Sequence, residues 1–160
     1  QVLQPAEQEV WGGRSGDKFR TEGASGLDWS AQGEIAVTYR SADAYTFDAT
    51  DLLPRQEGHA VETDRRFIAR LVGHANSDTF LKECKFVAGG EYVATGSDCG
   101  RLFVYQKRSG RLVRMLRGDS SVVNGLACHP HLPRVVTCGI DSDVKVFDLG
   151  EDLEPALTEA

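Results

Sequence analysis

Leu81-Lys82-Glu83-Cys84-Lys85-Phe86, Tyr92-Val93-Ala94-Thr95 and Leu102-Phe103-Val104-Tyr105 are three short runs rich in apolar and β-branched residues. Gly89-Gly90 and Asp98-Cys99-Gly100 stand between them as turn chemistry. The apolar positions follow a period of two rather than 3.6, which predicts three strands joined by two tight turns. The same layout returns 42 residues later without a gap. There Val123, Leu126 and Cys128 are followed by Val135-Val136-Thr137 and then by Val144, Val146 and Phe147. Their turns are His129-Pro130-His131-Leu132-Pro133 and Ile140-Asp141-Ser142-Asp143. A third copy, one residue shorter in its turn, lies upstream as Leu27 and Trp29, Glu34-Ile35-Ala36-Val37-Thr38, and Tyr45-Thr46-Phe47-Asp48.

A repeat of about 40–45 residues made of strands throughout is the pattern of propeller blades, so the fold class is all-β. From Leu81 to Asp148 the two downstream copies share only Val93/Val135, Thr95/Thr137 and Val104/Val146, so the repeat is one of residue class rather than letter. Gly110 to Arg117 supplies an outer strand for its blade, and Arg66 to Leu71 is available to the preceding one. The resulting division is an unassigned segment 1–22, a blade 23–50, a polar connector 51–66, a blade 67–117, an incomplete blade 118–148 and an acidic tail 149–160. The connector region from Ala49 to Asp64 holds Pro54, Gly58 and four acidic residues, too long and polar for a tight hairpin.

One domain of ordinary size accounts for 160 residues, and a formal charge of −6 argues against nucleic acid as principal ligand. No run approaches the roughly 20 apolar residues of a membrane-spanning helix, so a membrane partner is not expected. Cys84, Cys99, Cys128 and Cys138 are spaced by 15, 29 and 10 residues with no Asn-x-Ser/Thr acceptor, which points to reduced thiols in the nucleus or cytoplasm. The chain opens on Gln1-Val2-Leu3-Gln4-Pro5 without a leader pattern and is expected to be a piece of a longer protein.

Gly73-His74 ahead of the first strand, Thr95 on the second and Tyr105 in the Trp position of the third resemble WD-repeat blades. The resemblance implies a buried hydrogen-bond network of His, Ser or Thr, Asp and Trp in each blade, a structural device. The matching positions are His74, Thr95 and Tyr105 in one blade and Thr137 and Asp141 in the next. Aligned by strands, Cys99 occupies the Asp position of the first network, and Asp119 and Phe147 replace His and Trp in the second. A Phe has no N–H to donate, so Thr137 and Asp141 need other partners.

The strings Gly73-His74-Ala75-Asn76, Thr79, Lys82, Gly96-Ser97-Asp98-Cys99-Gly100, Val122-Val123-Asn124 and His129-Pro130-His131-Leu132-Pro133, with the Gly139 to Lys145 segment, narrow the resemblance. They are similar to the last blades of WD-repeat substrate receptors of the cullin-four ubiquitin ligase, including the WD-and-tetratricopeptide-repeat proteins. The resemblance implies a seven-bladed ring of which about three blades are here, with this chain its C-terminal part. It also implies a non-catalytic receptor that joins a target protein to the ligase through the damaged-DNA-binding adaptor. A WD-repeat scaffold of another nuclear or cytoplasmic complex, such as a chromatin assembly, is the alternative. Adaptor contact in such receptors is associated with a Trp-Asp-x-Arg box closing a third strand. The nearest segments are Tyr105-Gln106-Lys107-Arg108 and Phe147-Asp148-Leu149-Gly150, which places Tyr105, Lys107 and above all Arg108 at a partner surface.

Catalytic, metal and cofactor residues are not expected. Cys128, His129, His131 and Cys138 superficially suggest zinc, but they contain no Cys-x-x-Cys or His-x(3–5)-His pair. Cys128 and His129, adjacent on a strand, point to opposite faces; Cys99 with His74 is the more plausible thiol pair. Arg117-Gly118-Asp119 falls at a blade junction, and Gly12-Gly13-Arg14-Ser15-Gly16 lacks the ending of a phosphate loop. Six cations with no acid between Cys99 and Gly118 (Arg101, Lys107, Arg108, Arg111, Arg114 and Arg117) suit either a protected outer strand or a surface for an acidic partner.

Overall fold

A computed structural model describes residues 23–49, 67–150 and 153. Strands β1 (Ala24–Trp29), β2 (Glu34–Tyr39), β3 (Ala44–Asp48) and β4 (Ala69–Leu71) form a first antiparallel sheet in that order. Strands β5 (Cys84–Val87), β6 (Tyr92–Thr95), β7 (Arg101–Gln106) and β8 (Leu112–Arg117) form a second. Strands β9 (Val123–Cys128), β10 (Arg134–Gly139) and β11 (Lys145–Asp148) form a three-stranded third, with β10 in the middle.

The second sheet lies between the other two. Side chains alternate across a strand, and β7 shows the result. Leu102 and Val104 join Val87, Ala94, Val123, Leu126 and Val135 between the second and third sheets. Phe103 and Tyr105 join Ala36, Ala44, Ala69, Leu71 and Val93 between the first and second. Both faces of β7 are covered, which is why its sequence is a run of apolar residues rather than an alternation. A third apolar cluster, containing Ile35, Val37, Tyr39, Tyr45 and Phe47, occupies the first sheet's other face. The third sheet is the opposite case, with Val144 and Val146 66% and 67% exposed.

Two of the expected divisions shift. Ala69–Leu71 pairs with β3, so 69–71, counted within the blade 67–117, closes the first sheet, the place open to Arg66 to Leu71 in the sequence. Leu149 and Leu153, placed in the acidic tail, are buried in the core of the second and third sheets. The connector 51–66 and the segment 1–22 lie outside the described residues.

The sheets are joined along their first strands by side chains reaching backbone. Asp28 on β1 accepts the Phe86 amide of β5 at 2.8 Å, and Glu83, just before β5, accepts the Leu126 amide of β9 at 2.6 Å. Thr38 donates to the Lys82 carbonyl at 2.7 Å. Such bonds satisfy strand groups that a sheet edge leaves open. At the other end of the sheets, buried Lys107 meets Glu34 of β2 at 2.6 Å.

Close approach also requires small residues. A Cβ on Gly26 would lie 2.3 Å from the Lys82 carbonyl oxygen, and one on Gly96 would lie 2.3 Å from that of Val123. These contacts are with backbone, which has no rotamer to yield. Gly26→Ala is expected to destabilise the intact protein by roughly 1–3 kcal/mol, read as a lower urea midpoint; an unchanged midpoint would refute the close packing of β1 on the second sheet.

Candidate functional site

The loops entering β5 and β9 carry most of the buried polar chemistry. Lys82 is fully buried, and its ammonium contacts Asp98 Oδ1 at 2.5 Å, Asn124 Oδ1 at 3.0 Å, the Leu81 carbonyl at 3.2 Å and the Thr79 hydroxyl. The other Asp98 oxygen accepts the Ser77 and Asp78 amides at 2.6 and 2.8 Å. Burial pushes the Asp98 carboxyl upward, but Lys82 and these two amides hold it below the usual carboxylate range. One charge pair thereby ties the loop before β5, the turn after β6 and the start of β9 together.

The positions expected to form blade networks do not close into them. His74 is buried, yet among the described residues neither ring nitrogen has a hydrogen-bond partner, nor has the Thr95 hydroxyl. Tyr105 donates instead to the Val72 carbonyl at 2.9 Å. Aligning Cys99 with the missing acid also requires correction: Asp98 takes backbone amides as Asp141 does, whose Oδ2 accepts the Ser120 amide at 2.8 Å. In the next blade Thr137 donates to the Gly118 carbonyl at 2.9 Å. Buried Asp119 accepts the Ser121, Val122 and Asp141 amides, which hold its carboxyl low against the push of burial. The Ser120 hydroxyl and amide together with Lys145 pull Asp141 down to about 2.

The three residues expected at a partner surface separate. Tyr105 and Lys107 are 0% and 2% exposed, so neither is available to a partner. Tyr105 is turned in by β7's alternation, and Lys107 by its ion pair with Glu34. Arg108 is 72% exposed, 3.6 Å from Glu34, whose charge Lys107 already matches.

All four cysteines are free thiols. Burial raises Cys84 and Cys128 to about 12. Cys99 is exposed; partial burial pushes its thiol upward, but the Ser97 hydroxyl, 3.2 Å from its sulfur, and Arg101 together draw it below its ordinary value. Its partner is Ser97, and His74 makes no bond to it. His129 Nδ1 accepts the His131 and Leu132 amides, so that ring shapes a turn. Among the described residues no cluster of three His, Cys, Asp or Glu could hold a metal ion. A groove of about 410 Å³ crosses β1, β5 and β9, bordered by Trp29, Lys85, Phe86 and Cys128.

The WD domain, G-beta repeat model matches residues 110–148. Those residues run from just before the outer strand β8 through all of the third sheet. The chain is built of WD40 repeats. These WD40 repeats superpose on the β-propeller domain of Myceliophteria thermophila Cps50 (Swd1) with a TM-score of 0.64 and 19% identity, covering 84% of this chain and 40% of that one. In sequence the chain is 38% identical over 115 residues to Protein ALTERED SEED GERMINATION 2 of Arabidopsis thaliana, covering 71% of this chain and 15% of the relative. It is 39% identical over 85 residues to human DDB1- and CUL4-associated factor 6, covering 52% and 10%. Human WD and tetratricopeptide repeats protein 1 is 40% identical over 80 residues, covering 49% and 12%. The chain thus spans between 10% and 15% of the length of these relatives.

Residue class alone missed the Lys82 and Lys107 ion pairs, because a lysine beside a strand ordinarily reads as solvated. The available signal was chemical: Lys82 is followed at suitable spacing by Asp98 and Asn124, the oxygens that hold it. Lys82→Ala is expected to cost about 3–5 kcal/mol in urea unfolding by stranding Asp98, with much of the loss recovered in K82M/D98N. For His74, burial lowers the folded-state pKa below the unfolded value of about 6.5. Its contribution is therefore complete above about pH 6.5 and is lost as pH falls through the lowered value. Thermal unfolding of His74→Leu across that window should show a flatter pH dependence than the parent, and an unchanged slope would refute the assignment.

Proposed function

We propose that these WD40 repeats belong to a non-catalytic substrate receptor of a cullin-four ubiquitin ligase, joined to it through the DDB1 adaptor and working in the nucleus or cytoplasm. The observation that carries the reading is the 39–40% identity to DDB1- and CUL4-associated factor 6 and to WD and tetratricopeptide repeats protein 1. The physics supports the class of role. A central sheet covered on both faces and held by buried ion pairs makes a rigid frame, and a rigid frame serves to display loops to partners. The reading assigns the chain no reaction of its own and no cofactor.

Arg108 is the residue of choice for adaptor contact. It stands exposed at the end of the second sheet's third strand, with Glu34 already neutralised by Lys107, and a guanidinium can fork onto a partner's carboxylate or carbonyl. Affinity purification of the full-length gene product followed by mass spectrometry tests the reading. Recovery of DDB1 and cullin-four is expected. Arg108→Glu should lower their recovery several-fold while leaving stability within about 0.5 kcal/mol, as for surface changes generally. A full-length protein that carries neither component would overturn the ligase reading in favour of a WD-repeat scaffold elsewhere; undiminished recovery with Arg108→Glu would overturn the contact.

A further inference from the structure

The outer strand of the second sheet carries charge of the wrong sign for this chain. Against a formal net charge of −6, the segment from Cys99 to Gly118 holds six cations and no acid. Lys107 is the buried member of the group and is spent on Glu34. Arg101, Arg111 and Arg117 are exposed, and none makes an ion pair among the described residues. Arg101 stands directly opposite Arg117 across β7 and β8. Like charges opposite one another on a sheet repel, so the arrangement costs stability as it stands and is relieved by an anion between them.

Among the described residues strand β8 has β7 as its one neighbour, so alternate N–H and C=O groups face away from the sheet. The pairing is irregular at Val104 and Tyr105, where Val113 is passed over. Arg114 donates to the Val113 carbonyl at 2.8 Å, closing that part of the edge. The remaining part, Met115 to Arg117, is regular, and Met115 is 52% exposed beside the Arg101 and Arg117 pair. An edge strand needs charge to discourage pairing, but balanced or isolated charge does so without setting Arg101 and Arg117 opposite one another beside an exposed methionine.

We propose that β8 is a docking edge for an extended acidic segment of a protein partner, added antiparallel or parallel as a fifth strand. Its backbone bonds to the Met115–Arg117 edge, an apolar side chain covers Met115, and its carboxylates lie between Arg101 and Arg117. Strand addition draws affinity from main-chain bonds and specificity from alternate side chains, which is the combination this edge offers. The exposed methionine and the open main-chain groups of β8 favour an acidic peptide over a nucleic acid, which offers neither an apolar side chain nor a strand ladder. The proposal does not rest on the ligase reading, since the edge belongs to the fold whatever complex holds it.

The test uses the full-length protein and fluorescence anisotropy. The probe is a fluorescein-labelled peptide of about ten residues repeating Val-Val-Glu-Glu, long enough to span one strand and patterned so that residues two apart on one face set Val against Met115 and Glu against Arg117. Three comparison probes are its Lys-for-Glu counterpart, a version N-methylated at alternate residues, and a single-stranded oligothymidine of similar length. Binding of the acidic peptide that weakens with salt, and by about tenfold or more in R101E/R117E, is expected. The N-methylated and Lys peptides should bind at least tenfold more weakly. Arg134→Glu, on the third sheet, should leave binding unchanged, and thermal unfolding confirms that each variant is folded. Equal binding of the N-methylated peptide overturns strand addition, and binding unaffected by R101E/R117E overturns the site. Tighter binding of the oligothymidine, lost in the same variant, overturns the peptide in favour of nucleic acid. Each of these outcomes is read independently of DDB1 recovery.

Discussion

A buried ammonium is a demanding thing to place, and the geometry around Lys82 follows from meeting its demand. Removing an ion from water costs several kcal/mol unless its charge and all its donors are matched. Asp98 matches the charge, and Asn124, Thr79 and the Leu81 carbonyl take the donors. These groups come from three separate stretches of chain, so the ion is satisfied only when the loop before β5, the turn after β6 and the start of β9 have come together. The pair therefore specifies an arrangement more than it adds stability, as buried ion pairs do where an apolar substitute would pack equally well.

The same logic recurs at lower stakes along the first strands. Asp28 and Glu83 each reach the next sheet's backbone, so the carboxylates act as stitches between sheets rather than as surface charge. Lys107 and Glu34 secure the far end of the first junction. Between these polar ties, packing of residues such as Leu102, Val104, Phe103 and Tyr105 supplies most of the apolar gain, about 1.5–3 kcal/mol for each large side chain fully buried. The polar ties set where the sheets sit, and the apolar layers hold them there.

Strands were legible because their signal is local. Period-two spacing with Gly and Asp in the turns located β5 to β7 and β9 to β11, and the recurrence after 42 residues gave the architecture. Arg66 to Leu71 was legible as a strand available to the preceding blade, but the division at 67 still counted it with the next one, because pairing across a long connector leaves no boundary mark in the residues themselves. Leu149 and Leu153 were hidden by acidic neighbours although both reach the core. The partner surface was half legible. Sequence proximity grouped Tyr105, Lys107 and Arg108, but exposure depends on which face each side chain takes and on Glu34, 73 positions from Lys107. Likewise Cys99 stood in the acid's position by strand alignment, while Asp98, one residue earlier, reaches the amides.

The polar ties between sheets have a consequence in time. Neighbouring strands within each sheet pair over short loops and are cheap to close, whereas Thr38 with Lys82, Lys82 with Asn124 and Glu34 with Lys107 are separated by 44, 42 and 73 residues. Contacts so distant in sequence form late, because the chain's freedom must be surrendered before they repay it. Hairpins therefore come first and the joints between sheets last, and during that interval Lys82, at the open end of the β5–β6 hairpin with Asp98, still lacks the Asn124 oxygen. The finished platform is locked by the slowest contacts it makes, which suits a frame that must keep its shape long after it is built.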